Sequence, residues 1–156
     1  MFVGVWENGD MDLSTVAETF RMIIEGDDIT APKSLLRNIS QESAAKRLRG
    51  FPYSILENLW HADLWQTIWI DKIEGRTPTS WMEDWQSPDA SEWGAVRKSF
   101  LKNLDRAHAI ASAKPFKHKM KSKDVAVRNL LNLAVHDAYH IGQITLMKRV
   151  LRKMRG

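Results

Sequence analysis

The chain has 156 residues, no cysteine and a formal net charge of +4, with 44% hydrophobic and 27% charged residues. This length suits a single globular domain, predicted over residues 1–156, and the composition is that of a folded protein rather than a disordered one. The lack of cysteine excludes a disulfide, a thiolate nucleophile and cysteine-ligated zinc or iron–sulfur sites. No signal-peptide pattern is visible, and no apolar run approaches the roughly 20 residues that span a bilayer. We therefore predict a cytoplasmic protein without a membrane partner.

The charge is unevenly distributed along the chain. Residues 1–96 carry 8 Lys and Arg against 16 Asp and Glu, a net of −8, whereas residues 97–156 carry 15 against 3, a net of +12. Such asymmetry indicates either a half that binds nucleic acid or another anion, or acidic and basic helices that pair within one bundle. No DNA-reading motif accompanies the basic residues near the C-terminus, so pairing within a bundle is favoured over nucleic-acid binding.

Apolar residues at helical spacing predict two helices in the first half of the chain. The first begins at Asp12 or Ser14, either of which can cap it, and ends near Glu25. The second begins near Pro52, because proline suits the first turn of a helix, and runs to about Glu74. Short helical turns are expected between these two helices.

A long connection over residues 75–90 follows the second helix and contains Trp81 and Trp85. A loop of this length in a small domain usually crosses the fold or covers a site. The third and fourth helices are predicted over about 89–113 and 122–152. No strand-like alternation is present, so the predicted fold class is all-α: a four-helix bundle with a long crossover connection between helices two and three.

Two histidines stand out in the fourth helix. His136 and His140 are one helical turn apart, on the face that carries Leu133 and Ile144. Two imidazoles placed in this way on an inward face can hold a divalent transition metal. The same spacing also suits two buried histidines that are satisfied by hydrogen bonds, and the residues of this helix alone leave both interpretations open.

His61 is the candidate for a third ligand. It lies at the edge of the apolar stripe of helix two, between Trp60 and Trp65. Three imidazoles would leave open positions on the ion, as in catalytic rather than closed structural sites. His108 and His118 are expected to be solvated, since one lies on a polar helix surface and the other among lysines.

The two histidine regions resemble those of a known family. The run SILENLWHA at 54–62, followed about 75 residues after its histidine by HDAYHIGQI at 136–144, is similar to the DinB/YfiT-like superfamily. Outside these two regions the resemblance is one of pattern, and it extends from about Leu13 to Leu151. It implies a four-helix bundle, often a homodimer, in which three histidines bind a divalent metal, often zinc or nickel. The residues that match those positions are His61, His136 and His140.

The resemblance also implies an activity. Members of that family include S-transferases that use bacillithiol, mycothiol and related low-molecular-weight thiols, while others are described as metal-dependent hydrolases. An enzyme that transfers a small thiol to small electrophilic substrates is therefore expected, with a hydrolase or a non-catalytic metal-binding stress protein as alternatives. Glu57, one turn before His61, is a candidate acceptor for an imidazole N–H, and Gln143 is a candidate contact for a ligand of the ion. Trp81 and Trp85 are candidates for the wall of a pocket.

Overall fold

The computed structural model describes residues 12–78 and 84–154 of the chain. Within those ranges it contains six α-helices and no strand. In chain order the helices are α1 (Leu13–Glu25), α2 (Pro32–Leu36), α3 (Gln41–Ala45), α4 (Ile55–Glu74), α5 (Trp93–Ser112) and α6 (Lys123–Lys153), with a 3-10 turn at Ala90–Glu92. The predicted all-α bundle is confirmed: α1, α4, α5 and α6 are its long helices.

Side-chain caps fix where α1, α4 and α6 begin. Asp12 caps α1 by accepting a backbone N–H of the first turn. Helix α4 begins at Ile55 rather than near Pro52, because Ser54 and Glu57 form a capping box. The hydroxyl of Ser54 accepts the N–H of Glu57 at 3.1 Å, and the carboxylate of Glu57 accepts the N–H of Ser54 at 2.7 Å.

Helices α4 and α5 run parallel. The side-chain amide of Asn103 donates to the carboxylate of Asp63 at 3.0 Å, and farther along both helices Arg106 pairs with Glu74. Parallel neighbours cannot be joined by a short turn, so the connection over residues 75–92 has to return along the bundle. This connection is the predicted crossover.

Helix α6 runs antiparallel to α4. Near the start of α4 the Nδ2 atom of Asn58 lies 3.7 Å from the sulfur of Met147, and farther along α4 Gln66 donates to the carboxylate of Asp137 at 2.8 Å. This register brings the middle of α6, which carries His136, against the first half of α4. None of the described helices combines the length and apolar character needed to cross a membrane.

The core lies where the apolar faces of the four long helices meet. Its large side chains are no more than 1% exposed: Phe20, Leu59, Ile70, Phe100, Leu130, Leu133 and Ile141. Burying a side chain of this size stabilises the fold by about 1.5–3 kcal/mol. The contact between α4 and α6 differs from the rest of the core, because it buries polar side chains as well as apolar ones: Asn58, Gln66, Asp137 and His140. Buried polar groups are costly unless they find partners, so this part of the bundle is where a functional site is expected.

Glu57 ties the crossover to α4. Its side chain is buried and accepts hydrogen bonds from Ser87 at 2.6 Å and from the guanidinium of Arg47, in addition to the N–H of Ser54. Burial raises the pKa of Glu57, but the hydrogen bonds from Arg47, Ser87 and Ser54 outweigh burial and hold the pKa at about 2. The ionised carboxylate therefore joins α4, the segment after α3 and the end of the crossover.

Acid should weaken this junction. Because the pKa of Glu57 is lower in the folded state than its ordinary value of 4.5, its contribution is complete above that value and is lost as the pH falls toward 2. Between pH 7 and pH 3, we expect the free energy of unfolding to fall by on the order of 1–3 kcal/mol more in the wild type than in Glu57→Gln. Urea titrations at the two pH values measure this difference. Glu42→Gln, which removes an exposed carboxylate of α3, should behave as the wild type, whereas equal losses in the wild type and Glu57→Gln would contradict the assignment.

Candidate metal centre

His61 lies on the second turn of α4, and 5% of its surface is exposed. The indole of Trp85, which belongs to the crossover, stacks on its imidazole with ring centres 4.0 Å apart and planes at 5°. Trp85 stacks in turn on Tyr53, with ring centres 3.7 Å apart. These flat contacts fix the plane of the His61 ring.

His136 and His140 face His61 from α6. The Nε2 atom of His136 lies 3.2 Å from Nε2 of His61 and 3.2 Å from Nε2 of His140. One ligand atom from each residue lies within 4.8 Å of the others, and the three histidines could hold a metal ion. His61 and His140 are buried but His136 is only half-buried, so the cluster is most accessible on the His136 side.

Two of the three imidazoles are held so that Nε2 carries the lone pair. The Nδ1 atom of His61 lies 2.8 Å from the carbonyl oxygen of Asp84, which can only accept, so Nδ1 carries the proton. The Nδ1 atom of His140 lies 3.3 Å from Oδ1 of Asn58. The amide of Asn58 is oriented by its other end, since its Nδ2 donates to the carbonyl oxygen of Ser54 at 2.9 Å. Both histidines therefore direct an Nε2 lone pair toward His136.

The imidazoles of α6 are uncharged at neutral pH. Burial and the neighbouring His61 lower the pKa of His136 to about 4, and burial together with His136 and His61 lowers the pKa of His140 to about 3. One N–H can satisfy only one of the contacts among three such nitrogen atoms, whereas a cation can accept all three lone pairs. Two imidazoles at Zn–N distances of about 2.0–2.1 Å in a tetrahedral arrangement place their nitrogen atoms roughly 3.3 Å apart. The donor set of this cluster fits such an ion.

A comparison with protein families agrees with this geometry. The family model described as the DinB superfamily matches residues 32–144, more than half of the chain, and the matched region contains all three histidines. The chain belongs to the DinB superfamily. The resemblance predicted from the two histidine regions is thus confirmed. No curated protein and no solved structure matches the chain.

The sequence of this DinB-superfamily chain offers four candidates for residues around the metal ligands, which are Glu57, Trp81, Trp85 and Gln143. Two of them, Trp85 and Gln143, lie beside the histidines. Trp85 stacks on His61, as described above. The side chain of Gln143 lies close enough to His140 to oppose part of the lowering of its pKa. Its Nε2 atom donates to the hydroxyl of Tyr139 at 2.9 Å, while its Oε1 atom is buried and has no hydrogen-bond partner among residues 12–78 and 84–154. Gln143 thus has unused hydrogen-bonding capacity next to the cluster, as does the Nδ1 atom of His136, which is also buried without a partner among the described residues.

Glu57 is not placed against His61. Its carboxylate is occupied by the capping box, Arg47 and Ser87, and the imidazole N–H expected there goes instead to the carbonyl oxygen of Asp84. Trp81 falls outside the described residues. His108 and His118 lie away from the cluster, but both are half-buried rather than solvated as expected.

The two residues that orient the ligands, Asn58 and Asp84, are absent from the sequence-based candidates. Asn58 could have been found, because it lies three residues before His61 and hence on the same face of α4. Asp84 carries no such signal, since periodicity does not extend into a loop. Its main-chain carbonyl oxygen is the nearer acceptor for His61, and its carboxylate lies 3.3 Å from the same Nδ1 atom. Its carboxylate also accepts the indole N–H of Trp65 at 2.7 Å, which joins the crossover to α4 on the same side.

Loss of one imidazole should abolish stoichiometric metal binding. We expect untagged wild-type protein to carry about one divalent transition-metal ion per chain, and His136→Ala to carry little, because two remaining imidazoles bind far more weakly than three. Elemental analysis of purified protein measures the occupancy, and circular dichroism verifies the fold. His108→Ala removes a histidine outside the cluster and should keep its metal. Full occupancy in His136→Ala would sink the three-histidine assignment.

The acceptor behind His140 should also affect affinity. Asn58→Leu keeps the size of the side chain but removes the oxygen that fixes the His140 tautomer, so metal affinity should fall by about 10–100-fold. Asn103→Leu is the matched control, because Asn103 is also a buried asparagine but contacts Asp63 and Thr67 instead. Competition with a chromogenic chelator measures both affinities. Equal effects of the two substitutions would show that loss of stability, and not orientation of His140, is responsible.

Proposed function

We propose that this chain is a divalent-metal-dependent enzyme of the thiol S-transferase type that acts on small electrophiles. The observation that carries the proposal is the convergence of the Nε2 atoms of His61, His136 and His140, with the Nδ1 atoms of two of them held by acceptors. Zinc or nickel is the favoured ion, because the DinB superfamily resemblance implies these two metals and imidazole nitrogen suits both. Three protein donors leave room for a further ligand, which four-ligand structural sites do not.

A bound ion of this kind lowers the pKa of a coordinated thiol or water and so supplies an anionic nucleophile near neutral pH. The chain has no cysteine, so a sulfur nucleophile has to come from a low-molecular-weight thiol. In the proposed reaction the thiol loses its proton, its sulfur forms a bond to the electrophilic carbon, and the leaving group departs with the electron pair of the bond that breaks.

The surroundings of the accessible histidine suit an apolar or aromatic electrophile. The rings of Trp65 and Trp69 lie 6.4 and 5.3 Å from that of His136, measured between ring centres, and both meet it edge to face. Aromatic walls with few polar groups are typical of sites for small apolar ligands. The unpartnered Oε1 atom of Gln143 supplies an acceptor for the S–H or O–H proton of the incoming ligand.

Spectroscopy and turnover test this proposal together. Nickel-loaded protein is titrated with glutathione, bacillithiol and mycothiol, and then assayed with monochlorobimane as the electrophile. We expect at least one thiol to change the nickel absorption spectrum and to be transferred to the bimane. Both effects should disappear in His136→Ala and persist in His108→Ala.

Other results would point to other functions. Hydrolysis of an activated ester that needs the metal but no thiol would indicate a hydrolase. An unchanged nickel spectrum with every thiol and no turnover of either substrate, in protein that retains its metal, would overturn the enzyme proposal and leave a metal-binding protein.

A further inference from the structure

A second group of polar residues lies beyond the metal centre, between α2 and the last turns of α6. Two adjoining cavities of about 220 and 210 Å³ occur there, and both are lined by Ser34, Lys148 and Arg152. Arg37 adds a cation to the first cavity and Arg149 adds one to the second. Among the described residues, no acidic side chain lines either cavity. We call these five residues the α2–α6 cluster.

Lys148 is fixed between the two cavities. Its ammonium group donates to the carbonyl oxygens of Leu35 and Arg37, the latter at 3.0 Å. These carbonyls belong to the end of α2, where helical partners run out, so Lys148 caps that helix. Asn38, with φ of 62°, then turns the chain through the left-handed region. An ammonium has three N–H donors, so one is left for another acceptor.

The arginines of the cluster, like Arg49, Arg97 and Arg128, lack the carboxylate partners that four other arginines of the described structure have. Arginines of α1, α5 and the segments that flank α4 pair with carboxylates. Among residues 12–78 and 84–154, no carboxylate pairs with Arg37, Arg149 or Arg152. Burial, Arg152 and Arg37 lower the pKa of Lys148, which means that these like charges are close enough to destabilise one another.

The position of these charges is only partly explained by helix electrostatics. Cations are favoured at the C-terminal end of a helix, and this accounts for Arg152 in the last turn of α6. It also applies to Arg37, the C-cap residue of the five-residue helix α2, but not to Arg149, which lies before the last turn of α6. Residues from two separate parts of the chain therefore bring positive charge to two adjoining cavities that are open to solvent.

We propose that the α2–α6 cluster binds a small multivalent oxyanion, such as a phosphate monoester or a polycarboxylate. Guanidinium groups match the oxygen atoms of phosphate and carboxylate in pairs, and the hydroxyl of Ser34 adds a neutral donor. Cavities of about 220 Å³ suit such a group and are too small for an extended nucleic-acid strand. Lys148 lies eight residues after His140, about 12 Å along α6, so this site is separate from the metal centre.

Calorimetric titration of the metal-loaded protein with inorganic phosphate, at constant ionic strength set by chloride, tests the site. We expect saturable binding that is weakened roughly 5–10-fold by Arg152→Gln and by Arg37→Gln. Arg128→Gln removes one exposed positive charge near the other end of α6 and should change the affinity by less than about two-fold. All three arginines are exposed, so the variants should keep the fold, which circular dichroism verifies.

Four results would overturn the proposal. The first is the absence of saturable phosphate binding. The second is a loss of phosphate affinity in Arg128→Gln equal to that in the cluster variants. The third is phosphate binding that His136→Ala abolishes and the cluster variants leave intact, which would place phosphate on the metal. The fourth is a duplex oligonucleotide that binds more tightly than phosphate and loses affinity in Arg152→Gln, which would make the cluster part of a nucleic-acid surface.

Discussion

The hydrogen bonds behind the imidazoles of His61 and His140 decide whether the three histidines can act together. An imidazole has one protonated and one unprotonated nitrogen when neutral, and whichever nitrogen meets an acceptor keeps the proton. The carbonyl oxygen of Asp84 and the amide oxygen of Asn58 take the Nδ1 protons of His61 and His140, so the remaining lone pairs converge. Without these acceptors the same rings could satisfy each other as donor and acceptor, and the affinity for a cation would fall.

The topology of the bundle supplies one of those acceptors. Because α4 and α5 are parallel, the crossover has to travel back along the bundle, and its end passes over His61. Glu57 holds that end of the crossover through Ser87. It also caps the first turn of α4, the helix that carries His61 on its second turn. The buried carboxylate of Glu57 therefore fixes the start of α4, which carries His61, and also the position of the crossover segment that orients the His61 ring.

Helical periodicity predicts most of the fold, because each long helix buries one continuous apolar face. The start of α4 differs from the prediction near Pro52, although the spacing of Ser54 and Glu57 carries the signal of a capping box. The metal cluster is predictable from the spacing of His136 and His140 and from the family pattern around His61, since these side chains are the reactive groups themselves. The role of Asp84 is not, because it lies in a loop where helical spacing gives no guide, and the nearer of its two contacts with His61 is made by a main-chain carbonyl that every residue type has. The homodimer and the thiol stay predictions, because both concern molecules other than this chain.

The charge asymmetry is only partly resolved by pairing between helices. The ion pair between Arg106 on α5 and Glu74 on α4 is of the predicted kind, whereas Arg21, Arg47 and Arg76 pair within the acidic first 96 residues. Surface ion pairs contribute about 0–1 kcal/mol, so the fold does not depend on neutralising the basic residues of α6. The grouping of Arg37, Arg152 and Lys148 differs from these ion pairs. Partial burial of Lys148 and its repulsion by the two arginines both destabilise its charged form. An oxyanion in the adjoining cavities would offset both terms, which gives the concentration of charge at this end of α6 a physical reason that solubility alone does not.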